Sequence, residues 1–307
     1  TNNTVEPRDE QVEDEDDLQA YLDWLAANQD GEAASTEEEP QELDLGGKQI
    51  VITRIINIPA NVHIRFINCV FRPAGLWNAE NVFVIPSGSS VRYEKVVFDF
   101  SSSGYYWTGS QYVQVNIFNI AGKVWLEDGC HLKGFVNTQG VPTDTYIPGA
   151  VVKVDPATGH LWLNSGQIEN VVFCVNNVFN IWLSTSLSGK MWLYIPTAYQ
   201  KEGFQVFQPY GDYKFTAADI RNMNVFGTVQ WRVELDKEGF VVLYDFLARY
   251  DVNGDGSVNA ADIVEIVNYI MGHPSEKFNA DAADPNRDGA INAADIVMLV
   301  NVIMGII

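Results

Sequence analysis

Two stretches near the end of this chain repeat one spacing of oxygen-bearing side chains, 33 residues apart. The first runs Asp251, Asn253, Asp255, Asn259 and Asp262, the second Asp284, Asn286, Asp288, Asn292 and Asp295. Counted from the leading aspartate these are positions 1, 3, 5, 9 and 12 of a loop, with Gly256 or Gly289 at position 6. A hard cation such as calcium takes about six to eight oxygen ligands, and a loop of about 12 residues with this spacing wraps them around one centre. Glycine at position 6 permits the sharp bend that returns the later ligands to the ion. Ser257 and Ala290, at position 7, offer backbone carbonyls, so their side chains are free to differ. One such loop alone could be an ordinary solvated Asp/Asn/Gly turn. Two matched loops read as two calcium sites.

The elements that must position these loops follow them directly. Ile263, Val264, Ile266, Val267, Ile270 and Met271 come after the first loop, and Ile296, Val297, Leu299, Val300, Ile303 and Met304 after the second. This spacing predicts one apolar stripe on each of two helices, stopped by Gly272 and Gly305. Asn-Ala-Ala-Asp-Ile-Val recurs intact at 259–264 and 292–297, so the segment is a tandem repeat. A helix of about ten residues cannot bury its own stripe, and the two are expected to pack on each other.

With paired loops, Asp rather than Glu at position 12, and no full helix entering the first loop, residues 250–305 resemble a dockerin of type I kind. That family docks calcium-dependently onto cohesin domains in secreted bacterial assemblies. The resemblance implies two bound calcium ions, held by the ten side chains above together with the carbonyls of Ser257 and Ala290. It implies a cohesin-like partner, recognised through Ala260, Ala261, Val267 and Asn268 and their counterparts Ala293, Ala294, Val300 and Asn301. Family members often carry Ser or Thr where the alanines stand. The identity of the two sets would let the module dock in either of two orientations. The resemblance also implies export, hence an extracellular or cell-surface location.

Charge is unevenly placed along the chain. Residues 1–44 hold 16 acidic side chains against one basic, residues 249–307 nine against three, and the stretch between is balanced at 15 of each. No basic stripe exists, which disfavours nucleic-acid binding, and no apolar run reaches the length of about 18 residues that a membrane span needs. Cys69, Cys130 and Cys174 lie in apolar strand-like runs and read as small buried hydrophobes rather than a disulfide framework. No secretory signal opens the sequence, so a mature or trimmed chain is expected. The acidic beginning is similar to the stretch behind the lipid-bearing cysteine of bacterial surface lipoproteins, which implies a lipid anchor outside the sequence given.

Three domains are expected: an acidic leader with a short helix at 1–42, a β domain at 43–248 and a dockerin-like module at 249–307. Within the leader, Leu18, Tyr21, Leu22 and Leu25 share one helical face behind the capping pair Asp16 and Asp17. The middle is a series of short alternating strands broken by Gly, Asn or Pro, in units of irregular length such as IINIPANVHIRFINCVFRP and FVIPSGSSVRYEKVVFDF. Those units resemble successive coils of pectin-lyase-like right-handed parallel β-helices, so the fold class expected is mainly β with a small all-α tail. In that reading the first helix caps one open end. An antiparallel β-sandwich is the competing architecture. Residues 226–244 read as a hairpin turning at Asp236–Gly239, leading into the first loop with no Pro/Thr-rich linker. The last module is therefore expected to lie against the β domain.

Chemistry in the β domain is harder to find. Glu127, Asp128 and His131, and Glu94 near Asp99, are the nearest approach to a catalytic group, while His63 and His160 stand singly. Adjacent residues of a strand face opposite ways, so Glu127 and Asp128 fit a turn better than a paired-carboxylate site. No catalytic residue is assigned. Tyr105, Tyr106 and Trp107, set among Ser and Gly, could offer aromatic faces to sugar rings, whereas Trp125, Trp162, Trp182 and Trp192 read as strand packing. The function expected is calcium-dependent assembly with a non-catalytic carbohydrate-binding or adhesion domain. The alternative is a polysaccharide lyase or glycoside hydrolase of the β-helix class carrying a dockerin.

Overall fold

The computed structural model describes residues 11–31, 34–74, 81–102, 105–107, 112–134, 150–164, 167–174, 180–186 and 188–307. It is mainly β, built from parallel sheets, with a small helical region at the C-terminal end. One sheet adds its strands in chain order: Gln41–Asp44, His63–Pro73, Ser90–Asp99, Lys123–Leu126, His160–Leu163, Ile181–Leu183 and Gln208–Pro209. A second does the same with Ile56–Asn57, Asn81–Ile85, Tyr112–Ile120, Ala150–Val154, Val171–Cys174, Met191–Tyr194 and Met223–Val225. Every pair along both paths is parallel, so the antiparallel sandwich alternative does not hold.

Alternation of side chains across each strand delivers the core. Phe66, Phe71, Phe83, Phe98 and Phe118 are fully buried and meet edge-to-face or stacked at 4.9–5.9 Å. Such aromatic pairs each add about 0.5–1.5 kcal/mol beyond the area they bury. Asn68 (φ +54°) and Lys95 (φ +53°) interrupt the two longest strands in the left-handed region. Each shifts the parity of burial, from Ile64 and Phe66 to Cys69 and Phe71, and from Val91 and Tyr93 to Val96 and Phe98. The chain bends there around the core, and Gln49–Ile52 continues the bend by pairing with Val70–Pro73. None of the three cysteines is in a disulfide; burial pushes the thiol of Cys130, which donates to the Tyr93 carbonyl, up to about 12 and that of Cys174 up to about 11.

Helix α1, Glu15–Ala27, begins at Asp14, whose carboxylate accepts the amides of Asp16 and Asp17 at 2.9 and 3.0 Å. Three acidic residues in its first turn suit the positive end of the helix. Its buried face is Leu18, Tyr21, Leu22 and Leu25. The polar side binds the first strands: Glu15 accepts the amides of Thr53 and Arg54, and Gln19 exchanges two hydrogen bonds with the backbone of Asn57, both 2.9 Å. Backbone donors at the end of the sheets thereby find partners.

At the far end, α2 (Ala217–Arg221) precedes the last parallel strand, and an antiparallel hairpin follows, Trp231–Leu235 with Val241–Asp245. Its turn is tied by Asp236, whose carboxylate accepts the amides of Glu238 and Phe240, with Gly239 at φ +86°. Helix α3, Phe246–Tyr250, runs from the hairpin into the first loop. Then come α4, Ala260–Ile270, and α5, Ala293–Ile303. They share a separate small core of Phe246, Tyr250, Val252, Ile266, Ala282, Ala283, Leu299 and Val302.

The stripe expected on these helices is split. Ile266 is fully buried and Ile263 packs beside it, but Val264, Val267, Ile270 and Met271 are exposed. On α5, Leu299 and Val302 are buried, whereas Val297 and Met304 are exposed. Each helix is apolar on two faces, and only one of them meets the other helix.

Candidate calcium loops and docking face

The loops fold by capturing their own amides. Asp251 accepts the amides of Asp255 (3.2 Å) and Gly256 (2.9 Å); Asp284 accepts those of Asp288 (3.2 Å) and Gly289 (2.9 Å). Asn253 and Asn286 accept from Asp255 and Asp288 at 2.9 and 2.8 Å, and those aspartates accept from Ser257 and Ala290 at 2.9 and 2.8 Å. Gly256 and Gly289 both sit at φ +84°, the left-handed turn that position 6 was expected to need. Position 9 caps the following helix: Asn259 accepts from Ala261 and Asn292 from Ala294, both at 2.8 Å. Position 12 closes each capping box, Asp262 taking the Asn259 amide and Asp295 the Asn292 amide, both at 2.8 Å. Side chains expected to hold an ion thus also start α4 and α5.

The residues present fit a hard cation. Each loop gathers three carboxylates and two amide side chains, all oxygen donors, and among the described residues none of the six aspartates forms an ion pair. Asp262 and Asp295 are fully buried, and Oδ1 of Asp295 has no hydrogen-bond partner. An uncompensated buried carboxylate is costly, and a divalent ion is the compensation the oxygen set suits. Among the described residues no group of three or more His, Cys, Asp or Glu stands in a metal-holding arrangement, and the side-chain nitrogen of Asn253 donates to Asp255 at 2.9 Å.

The positions expected to meet a partner lie outside the small core. Ala260, Ala261 and Val267 are exposed and Asn268 is half-buried; Ala293 and Ala294 are exposed, with Val300 and Asn301 half-buried. Two further positions on each helix escaped the sequence reading: Val264 and Met271, and their counterparts Val297 and Met304. They are exposed by 55%, 68%, 61% and 68% respectively, the largest apolar exposures on the two faces. Their signal is present in the repeat, where apolar periodicity alone assigns them to the stripe between the helices.

The module is fastened to the β domain. Arg249 of α3 donates to both carboxylate oxygens of Glu234 on the hairpin and lies 3.1 Å from Glu202, while its guanidinium stacks 4.1 Å over Tyr244. Arg232 stacks over Phe246 at 3.2 Å. A groove of about 940 Å³ runs between the two parts, with Trp192 and Trp231 on one side and Met298, Val302 and Ile306 on the other.

The remaining candidates do not assemble a catalytic centre. Glu127 pairs with Arg92 at 2.7 Å and lies 3.6 Å from Arg65, and Glu94 lies beside Lys95. His131 Nε2 lies 3.2 Å from Glu169 but is not aligned to hydrogen-bond it. His63 bonds Ser90 at 2.7 Å, and burial lowers it below the ordinary imidazole value against the pull of Glu37 and Glu38. Asp99 holds Ser101. Tyr105–Trp107 forms a short strand antiparallel to Tyr112–Ile120, and the side chains of Tyr105, Tyr106 and Trp107 lie outside the described residues.

What the sequence reading missed is a tryptophan ladder. Parallel register aligns Trp125, Trp162 and Trp182 on the outer face of the first sheet, stacked at 4.4 and 4.8 Å within 10° of parallel. Arg92 covers the free face of Trp125 at 4.1 Å, and His160 lies beside the other two. Its signal was the recurring Trp-Leu pair at 125–126, 162–163 and 182–183. The same pair at 192–193 lies in the other sheet, so the dipeptide alone did not reveal the ladder.

Twin oxygen-lined loops, each capping a helix, define a small paired calcium-loop module of the EF-hand kind. More narrowly, residues 249–304 match the family model of the dockerin type I domain. A dockerin implies calcium-dependent protein–protein assembly with a cohesin partner, and such proteins are typically extracellular or on the cell surface. No significant match to the chain was found among curated proteins or among solved structures. Among the described residues no helix is long and apolar enough to cross a membrane.

Proposed function

We propose that this chain is an exported or surface-held bacterial protein that docks onto a cohesin-like partner when calcium is bound. Its β domain, on this reading, is a non-catalytic module that contacts carbohydrate. The observation that carries the docking half is the identity of the outward face in both copies: Ala260/Ala293, Ala261/Ala294, Val264/Val297, Val267/Val300, Asn268/Asn301 and Met271/Met304. Each loop is assigned one ion, through its five side chains and the carbonyl of Ser257 or Ala290. Calcium orders the loops, the loops start the helices, and the helices carry the face.

Sheets that lengthen strand by strand in chain order support a right-handed β-helix-type domain at 43–248, behind an acidic leader and cap at 1–42 and ahead of the docking module at 249–307. The carbohydrate half rests on the ladder's outer edges, flanked by Asn164 and Ser184, which hydrogen-bond each other at 2.7 Å, and on the aromatic trio at 105–107. Mixing the protein with a type I cohesin and separating by size tests the docking half. A complex in calcium that dissociates in chelator supports it; no complex, or one indifferent to chelator, overturns it. Incubation with acidic and neutral polysaccharides tests the other half, because any released reducing ends or unsaturated products make the β domain an enzyme.

A further inference from the structure

The two loops share the backbone-to-side-chain hydrogen bonds at positions 1, 3, 5 and 9 and part at their last ligand. In the first loop Asp262 is saturated: Oδ1 accepts the amides of Val252 (2.7 Å) and Asn253 (3.1 Å), and Oδ2 accepts that of Asn259. In the second loop Asp295 keeps the Asn292 amide on Oδ2, but its Oδ1 has no partner, and the residue is fully buried. One of the two missing donors has a covalent cause: the residue equivalent to Val252 is Pro285, which has no N–H to give. The other, the amide of Asn286 in the place of Asn253, does not reach Oδ1.

The second loop also stands in a different place. Pro285, Asn286, Arg287 and Met298 line a groove of about 520 Å³ with the hairpin residues Glu234–Glu238 and with Arg249 and Tyr250 of α3. No residue of the first loop lines it. The loop whose last carboxylate has one oxygen without a protein partner is thus the one that shares a groove with the hairpin.

We infer that the second loop is the calcium-obligate one and acts as the lock of the joint between the docking module and the β domain, whereas the first loop keeps its order without the ion. This rests on the reading that both loops bind calcium. Removing the ion leaves Asp262 with three amide donors but leaves Asp295 with a buried, half-satisfied charge. The second loop relieves that charge by opening to water. Opening it frees the start of α5 and loosens the contacts made by Pro285, Asn286 and Arg287 against the hairpin.

Amide hydrogen exchange on the whole chain, with calcium and with excess chelator, reads each loop separately. The expected result is at least tenfold faster exchange across 284–295 than across 251–262 in chelator, together with increased exchange at 234–238. Pro285→Ala restores one of the two missing donors; it should bring the two loops within about threefold in chelator and shrink the calcium-induced rise in melting temperature. Equal exchange of the two loops in chelator, with calcium protecting both, overturns the inference and leaves the calcium reading standing. No effect of calcium on either loop overturns both. Should Pro285→Ala fail to fold, the comparison of loops in the unaltered protein decides the matter.

Discussion

A charge placed on the outward face of α4 alone should barely weaken docking, and the same charge on both helices should abolish it. Val264 and Val297 occupy equivalent places in the repeat and are exposed to similar extents, 55% and 61%. If a cohesin-like partner can seat either helix as its principal contact, two settings of nearly equal energy share the population. Val264→Asp puts an unpaired carboxylate into a dry contact in one setting, at a cost of about 3 kcal/mol or more. That setting is lost, a factor above about 100 at 1.4 kcal/mol per tenfold. The other setting survives, so the measured affinity falls only by the statistical factor of two, about 0.4 kcal/mol. Val297→Asp should behave the same, and the double variant should lose at least about 100-fold. Isothermal titration with a type I cohesin in calcium reads all four combinations. A tenfold loss from either single variant refutes the equivalence of the two settings. A double variant that still binds at full strength refutes the placement of the docking face.

Tyr93 is fully buried and its hydroxyl has no hydrogen-bond partner among the described residues, so Tyr93→Phe should stabilise the β domain by about 1 kcal/mol in urea denaturation; a loss of that size would mean the hydroxyl is satisfied. Arg249→Ala removes two hydrogen bonds to Glu234 and a stack on Tyr244 at a site only 13% exposed, and should lower the C-terminal module's melting transition by about 1–2 kcal/mol of stability while leaving that of the β domain in place. Transitions that fall together would show that the two parts melt as one unit. Both Trp162 and Trp182 stack on His160, but Trp162 has a tryptophan on each side and Trp182 on one, so Trp162→Ala should cost about 1 kcal/mol more than Trp182→Ala. Equal costs would reduce the ladder to area burial.

What the sequence revealed was what is local. The loop ligands lie within 12 positions, the hairpin turn within four, and the hydrophobic face of α1 within one helical repeat, so neighbouring residues alone determine them. Strand register was not legible, because parallel partners such as Trp125 and Trp162 are far apart in the chain and their unit lengths are irregular. The left-handed bends at Asn68 and Lys95 were hidden for a different reason: the residue types are ordinary and only the parity of burial betrays them. On α4 and α5 the apolar residues cover more of the helix than one interface can use, and periodicity does not say which face stays in water. Pro285 was visible, yet its effect depended on knowing which amides serve the carboxylate at position 12.

Differences between the two helices of the repeat avoid the outward arc. The outward positions 260, 261, 264, 267, 268 and 271 fall within a roughly 120° arc at 3.6 residues per turn, and every one is identical in α5. The departures lie elsewhere on the helices. Glu265, which accepts the Ser275 amide, is replaced by Met298, which lines the grooves toward the β domain. Tyr269, stacked on Phe278 at 4.6 Å, is replaced by Val302 in the small core. Val252 gives way to Pro285 where the second loop meets the hairpin. A duplicated unit free of any partner has no reason to keep one face matched while the other diverges. On the proposed docking function, the matched face is the one that presents the same surface twice, and the unmatched positions include those facing the grooves toward the β domain. Exchanging Glu265 and Tyr269 for Met and Val should leave docking intact and disturb only the packing of residues 275–278, read as faster exchange there; a loss of cohesin binding would show that the two faces are not separable.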